Sequence, residues 1–224
     1  MLPKVSLIQR MTESGIIAVI RRVPKDRIPP LVESLIKGGV TALEITVDSP
    51  GVYSVLRKVS EVIGERAVIG AGTVIDATSA ERAIESGAEF LFSPSLHPDV
   101  IRVALRHGKV AVPGVMTPTE MIMALEYGAD MVKIFPAGVL GPKYIRDILA
   151  PFPQIPVIPT GGINLENVAS FIEAGAAAVG IGGELVDRRS VETSDFERIA
   201  RTAELYVEAI GKKRTPIGER NRTR

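Results

Sequence analysis

Six times in this chain an amphipathic helical pattern ends at a glycine, and an apolar, strand-like run begins within a few residues. The junctions are Lys37-Gly-Gly-Val-Thr-Ala-Leu43, Glu65-Arg-Ala-Val-Ile69 after Gly64, Glu85-Ser-Gly-Ala-Glu-Phe90, Arg106-His-Gly-Lys-Val-Ala111, Glu126-Tyr-Gly-Ala-Asp-Met131 and Glu173-Ala-Gly-Ala-Ala-Ala178. From Gly39, the glycines at 64, 87, 108 and 128 follow at steps of 25, 23, 21 and 20 residues. That step is one strand plus one crossover helix, the unit that builds parallel sheets. Glycine just beyond a helix takes the left-handed conformation that stops it. The helix starts agree: Thr78-Ser-Ala-Glu81 and Thr117-Pro-Thr-Glu120 read as capping boxes, and Asn164 as a third N-cap.

The strands expected from these junctions are Ile16–Ile20, Ala42–Val47, Ala67–Gly70, Phe90–Ser93, Val110–Val112, Met131–Phe135, Val157–Pro159 and Ala177–Ile181, eight in all, each followed by a helix. Eight such units fit an α/β fold of the (β/α)8 TIM-barrel type, with residues 3–14 as an extra N-terminal helix closing the bottom. The alternative is a doubly wound open sheet, disfavoured because no Gly-x-Gly-x-x-Gly follows the first strand. Residues 1–211 read as one barrel domain. Residues 212–224 carry six basic groups and one acidic and read as a disordered tail; with no aromatic residue among them, nucleic-acid contact is not expected. The chain has no cysteine, which excludes disulfides and thiolate metal sites. No stretch reaches the roughly 18 uncharged apolar residues of a membrane span. The first residues, Met-Leu-Pro-Lys-Val-Ser, lack a basic-then-apolar leader, so a cytoplasmic location away from membranes is the expectation.

In a barrel the site lies at the C-terminal ends of the strands, and here those ends are polar. Among nine lysines only Lys133 sits inside an apolar strand-like run, Asp130-Met-Val-Lys-Ile-Phe-Pro136. A buried ammonium needs a reason, and a desolvated lysine with a lowered pKa is the nucleophile of Schiff-base chemistry on carbonyl substrates. An ion-paired or snorkelling lysine is the plainer reading, awkward at a strand centre. Glu44, between Leu43 and Ile45, is either the structural partner of Lys133 or a general acid–base beside it, and the second reading is preferred. Thr46 shares its face. The neighbouring strand ends carry Arg21-Arg22, Gly70-Ala-Gly-Thr73, Ser93-Pro94 and Pro113-Gly114. Thr160-Gly161-Gly162 and Gly180-Ile-Gly182-Gly183-Glu184 close the last two strands, where glycine pairs let backbone amides hold an anion such as phosphate. His97 and His107 read as surface or capping groups, Lys109 and Lys143 as solvated, and Met121 and Met123 as packing; no metal site is expected.

Gly38-Gly-Val-Thr-Ala-Leu-Glu-Ile-Thr46, Ile69-Gly-Ala-Gly-Thr-Val74, Ser93-Pro94, Pro113-Gly-Val-Met-Thr-Pro-Thr-Glu120, Lys133-Ile-Phe-Pro136 and Pro159-Thr-Gly-Gly-Ile-Asn164 follow one another as in a known family. The chain resembles the 2-keto-3-deoxy-6-phosphogluconate (KDPG) and 4-hydroxy-2-oxoglutarate (KHG) aldolases, class I pyruvate aldolases, from about residue 12 to 210. The resemblance implies a homotrimer of (β/α)8 barrels needing neither metal nor organic cofactor. It implies Lys133 as the Schiff-base lysine and Glu44 as the acid–base. Thr73 and Thr160 would line the pyruvyl pocket, Phe135 and Pro94 would pack around it, and Gly161, Gly162 and the turn Gly182, Gly183, Glu184 would hold phosphate.

Two departures stand out. Some members carry an arginine four or five residues after the glutamate; here Asp48-Ser-Pro-Gly51 stands there. Ala18-Val-Ile-Arg21 matches the members whose substrate-carboxylate arginine ends the first strand, so Arg21 takes that role, with Arg22 expected on the opposite face. Glu184 stands where members often have Ser, an unfavourable neighbour for phosphate unless it points away. The activity implied is retro-aldol cleavage of 2-keto-3-deoxy-6-phosphogluconate to pyruvate and glyceraldehyde 3-phosphate, with cleavage of 4-hydroxy-2-oxoglutarate as a second activity. The 6-phosphogalactonate epimer, a phosphosugar isomerase or epimerase on the same barrel, and a phosphosugar-binding trimer without chemistry are the alternatives.

Overall fold

The computed structural model describes residues 2–213. Most of the basic segment, residues 214–224, lies outside the described residues. The chain opens with α1 (Pro3–Thr12) and then alternates: β1 (Ile16–Ile20), α2 (Ile28–Lys37), β2 (Ala42–Thr46), α3 (Val52–Ile63), β3 (Val68–Gly72), α4 (Ala77–Glu85), β4 (Phe90–Phe92), α5 (Pro98–Arg106), β5 (Val110–Val112), β6 (Gly114–Val115), α6 (Pro118–Glu126), β7 (Val132–Ile134), α7 (Ala137–Leu149), β8 (Val157–Pro159), α8 (Val168–Glu173), β9 (Val179–Ile181), α9 (Arg188–Thr193) and α10 (Phe196–Gly211). The junction glycines 39, 64, 87, 108, 128 and 175 all have positive φ, between 56° and 109°. The helix stops read from the sequence are therefore physical ones.

Every registered strand pair is parallel. A six-stranded sheet runs β5-β4-β3-β2-β1-β9, and a three-stranded one β6-β7-β8. The strand expected at Val110–Val112 continues past Pro113 as β6. Proline has no N–H to give the ladder, so the strand is recorded in two pieces. The Pro113 carbonyl accepts from the Lys133 N–H at 2.9 Å. At the other boundary Ala177 N–H donates to the Val157 carbonyl at 3.0 Å, and Thr160 bridges Gly180 in parallel.

Strand alternation sorts the side chains into two cores. Ile17, Ala42, Val68, Phe90, Phe92, Val110, Met131, Ile158 and Ala178 point inward, and Leu7 and Met11 of α1 close that cluster from below. The alternate positions, such as Ile16, Leu43, Ile69, Leu91, Val132 and Val179, face the helices. By the same period Val19, Glu44, Thr46, Lys133 and Thr160 lie on the inner face, toward the C-terminal ends.

Two expected caps differ. Thr117 makes its capping box with Glu120. Thr78 does not, because α4 begins earlier and Asp76 caps it by accepting from Ser79 N–H at 2.8 Å. Asn164 Oδ1 accepts from Glu166 and Asn167 N–H, forming a turn ahead of α8 rather than the helix cap itself. Lys212 and Lys213, placed in the tail by charge, follow α10 directly and pair with Glu208 of α10 and Glu173 of α8.

Candidate active site

Lys133 is the central residue of β7, 6% exposed, directly between Gly114 and Ile158 in register. Its Nζ lies 5.4 Å from the centroid of the Phe92 ring and 5.3 Å from that of Phe135. The rings hold the amine by its electrostatic attraction to their faces without neutralising it. Glu44, in the middle of β2, is 1% exposed, and neither of its carboxylate oxygens has a hydrogen-bond partner. Burial pushes its carboxyl above the ordinary value, against the opposing pull of the Lys133 and Arg21 charges. The paired neighbours of Glu44 are Val19 and Gly70, and its side chain leans along the sheet over Gly72. A Cβ at Gly72 would fall 1.7 Å from Glu44 Oε1, so the carboxylate occupies space that only glycine leaves.

A cavity of about 890 Å³ opens over this end of the sheet, lined by Val19, Arg21, Lys133, Phe135, Thr160 and Gly161, among others. Arg21, just past β1, donates from its guanidinium to Thr73 Oγ1 at 2.7 Å and stands 4.0 Å from Asp48. Thr73 thus reaches the site through Arg21. Thr160 is 6% exposed at the end of β8, with its hydroxyl against the Ile158 carbonyl. Of the turn glycines, Gly161, Gly182 and Gly183 line the cavity. Gly162 packs behind them on Gly138, and its carbonyl accepts from Asn167 Nδ2 at 2.9 Å. Pro94 sits half-buried against Gly114. Glu184 is exposed, near Tyr206 of α10, whose hydroxyl is pushed up to about 12 by burial and by that carboxylate.

A buried amine beside aromatic rings and a guanidinium line one cavity, and the buried Glu44 carboxyl, which does not itself line it, feels the charges of both; the set suits covalent chemistry on a keto acid. The family model described as KDPG and KHG aldolase matches residues 7–202. The chain belongs to the KDPG and KHG aldolase family. It is a lyase of the aldolase class. The 2-dehydro-3-deoxy-6-phosphogalactonate aldolase of Escherichia coli is 35% identical over 202 residues, 90% of this chain and 97% of that one. The KHG/KDPG aldolase of Escherichia coli is 31% identical over 200 residues, 88% of this chain and 93% of that one. A KDPG aldolase from Legionella pneumophila, solved with pyruvate captured at low pH as a covalent carbinolamine intermediate, has a TM-score of 0.80 at 28% identity, covering 88% of this chain and 96% of that one.

Within this aldolase three site features escape sequence reasoning. Phe92 is one apolar residue in an apolar strand, and nothing local marks it as the partner of an amine. In the sequence Asp48 and Ser49 mark only the place of a missing arginine, yet they anchor Arg21 and Arg22. Arg22, assigned to the far face by strand alternation, lines the cavity with Arg21. The reason is its φ of 51°, which breaks the alternation two residues after β1 ends. Among the described residues no group of three or more His, Asp or Glu is placed to hold a metal ion, and no helix is long and apolar enough to cross a membrane.

Proposed function

We propose that this aldolase cleaves 2-keto-3-deoxy-6-phosphogluconate to pyruvate and glyceraldehyde 3-phosphate through an imine on Lys133. What carries the reading is the pairing of two buried, chemically complementary groups: the Lys133 amine in the centre of β7 and the unpartnered Glu44 carboxyl in the centre of β2. The Lys133 amine attacks the keto carbon, and Glu44, whose proton affinity is raised by burial, gives the proton that lets water leave the carbinolamine. The iminium then draws the electrons of the bond between the third and fourth carbons as the fourth-carbon hydroxyl loses its proton, releasing the aldehyde. Protonation of the enamine and hydrolysis of the imine free pyruvate and Lys133. Arg21 holds the substrate carboxylate by a charge-assisted fork, oriented by Thr73. Gly161, Gly182 and Gly183 offer backbone to the phosphate, a reading supported by Glu184 not being among the residues that line the cavity.

The 6-phosphogalactonate epimer is the second reading, favoured by the 35% identity to the Escherichia coli enzyme of that name. Cleavage of 4-hydroxy-2-oxoglutarate to pyruvate and glyoxylate is a further activity of the same pyruvyl site. The two hydrogen-bonded sheet boundaries belong, in this reading, to one closed (β/α)8 barrel covered below by α1. The barrels assemble as a cytoplasmic homotrimer, in which exposed apolar residues such as Val139 and Ile75 find partners.

Incubation with pyruvate and borohydride tests the reading. One pyruvyl-derived mass per chain is expected on the peptide containing Lys133, with none after Lys133→Ala. A label elsewhere, or none on the parent protein, refutes the assignment.

A further inference from the structure

The two arginines after β1 stand on one cavity wall because Arg22 holds a left-handed backbone, φ 51°, a state that side-chain-bearing residues adopt only when their surroundings impose it. The surroundings here are buried side chains. Arg22 N–H donates to Ser49 Oγ at 2.9 Å. Ser49 is 4% exposed, and its hydroxyl lies 3.2 Å from that of Thr46, which is fully buried. The strained turn is therefore fixed from within the sheet. Its effect is to swing a second guanidinium to the mouth of the site.

That guanidinium is lightly held. Arg22 Nε donates to Asp48 Oδ2 at 3.1 Å, with the Arg22 side chain 72% exposed, and Arg21 NH1 stands 4.0 Å from the same oxygen. One carboxylate thus serves two arginines. Burial tends to raise Asp48, but the Thr46 hydroxyl and the charges of Arg21 and Arg22 outweigh it and hold the carboxyl below its ordinary value. Among the other lining residues the one further cation, Arg188, is already paired and Asp187 is a carboxylate. Arg188 pairs with Glu192 at 2.7 Å, and Asp187 is engaged at the start of α9 by Ser190 N–H at 2.8 Å. Beside Lys133, the unmatched positive charge at the mouth is the one shared by Arg21 and Arg22.

We infer that Arg22 is a specificity-determining residue that leaves Asp48 and takes the second anionic group of the substrate, a phosphate monoester at the end distal to the carboxylate. The inference rests on the Lys133 retro-aldol reading and adds to it the group that selects a phosphorylated substrate. A guanidinium fork matches a phosphate edge with two parallel hydrogen bonds, and an exposed ion pair such as Arg22–Asp48 is given up at little cost. Arg21, tied to Thr73, stays with the carboxylate.

The test is Arg22→Gly, chosen because glycine accepts the left-handed backbone without strain. Its thermal midpoint should equal or exceed that of the parent. Its kcat/KM for the phosphorylated keto-deoxy acid should fall on the order of 10- to 100-fold, the weight of one charge-assisted hydrogen bond, chiefly through KM. The same acid without phosphate should lose far less, and Arg22→Lys should recover part of the loss. Equal losses on both acids would show Arg22 acting through Asp48 on Arg21 and would overturn the assignment, as would no loss on either. Borohydride trapping of pyruvate on the parent separates the two layers. A parent that takes the label while Arg22→Gly fails to discriminate loses only this assignment; a parent without the label loses the aldolase chemistry and the assignment together.

Discussion

Glu44 is buried to 1% exposure without a hydrogen-bond partner, and an unpartnered buried carboxyl costs stability that packing does not return. Because burial raises its folded-state pKa, the folded protein binds a proton more tightly there than the unfolded chain does. The contribution of Glu44 to stability is therefore fully present below the unfolded value and is lost as pH rises through the raised, folded one. Glu44→Gln cannot ionise and escapes that loss. The difference in thermal midpoint, variant minus parent, should grow with pH from the acid range upward; a difference that is flat or shrinks with pH would place the carboxylate in a better-solvated setting. Catalysis should move the other way. Without the proton shuttle, kcat should drop by about 10²–10⁴ while an unreactive substrate analogue binds with much less change. A variant both more stable and less active marks a residue retained for chemistry. If turnover stays near the parent rate, Glu44 is structural.

At the scale of the element, β3 explains how a buried carboxylate and a large ring fit into one sheet. Its residues Val68, Gly70 and Gly72 face inward, and the two glycines leave room for different neighbours. A Cβ at Gly70 would sit 2.3 Å from the Phe90 ring, and one at Gly72 would strike the Glu44 carboxylate. Gly70→Ala should lower unfolding free energy by about 1–3 kcal/mol, the range for overpacking a core, as read by denaturant titration. Gly72→Ala should fold, because the atom it meets is the end of a side chain, but turnover should fall as Glu44 is displaced. Normal turnover in Gly72→Ala would mean that the position of Glu44 is not critical. The glycines themselves were visible in the sequence, as was the inward period of Glu44 and Lys133. Their purpose was not, because it depends on side chains arriving from β2 and β4, far away in the chain. The same limit hid Phe92. Arg22 escapes the alternation for a local reason: it lies two residues beyond Ile20, where the backbone turns left-handed.

Across the whole molecule most of the strand–helix count was legible because six helix-to-strand junctions turn at a glycine of positive φ, whereas α7 stops at Ala150 without one. Whether the strands close on themselves was not legible, since closure depends on pairing between β5–β6 and β7 and between β8 and β9, which no local pattern encodes. The decisive groups are amides. Asp130, Lys133 and Phe135 donate to the carbonyls of Ala111, Pro113 and Val115 at 3.2, 2.9 and 3.3 Å, and Ala177 donates to Val157 at 3.0 Å. In an open sheet these groups would belong to edge strands and open locally. In a closed barrel they report global unfolding, because breaking one boundary frees no edge without disrupting the inner core packed over α1. Native-state hydrogen exchange should therefore give these four amides protection comparable to that of the central pair β1–β2. Fast exchange at Ala177 or Asp130, with β1 and β2 still protected, would identify an open, curled sheet. Lys133 would then sit near an edge rather than within a ring of strands, and its dry setting would need another source.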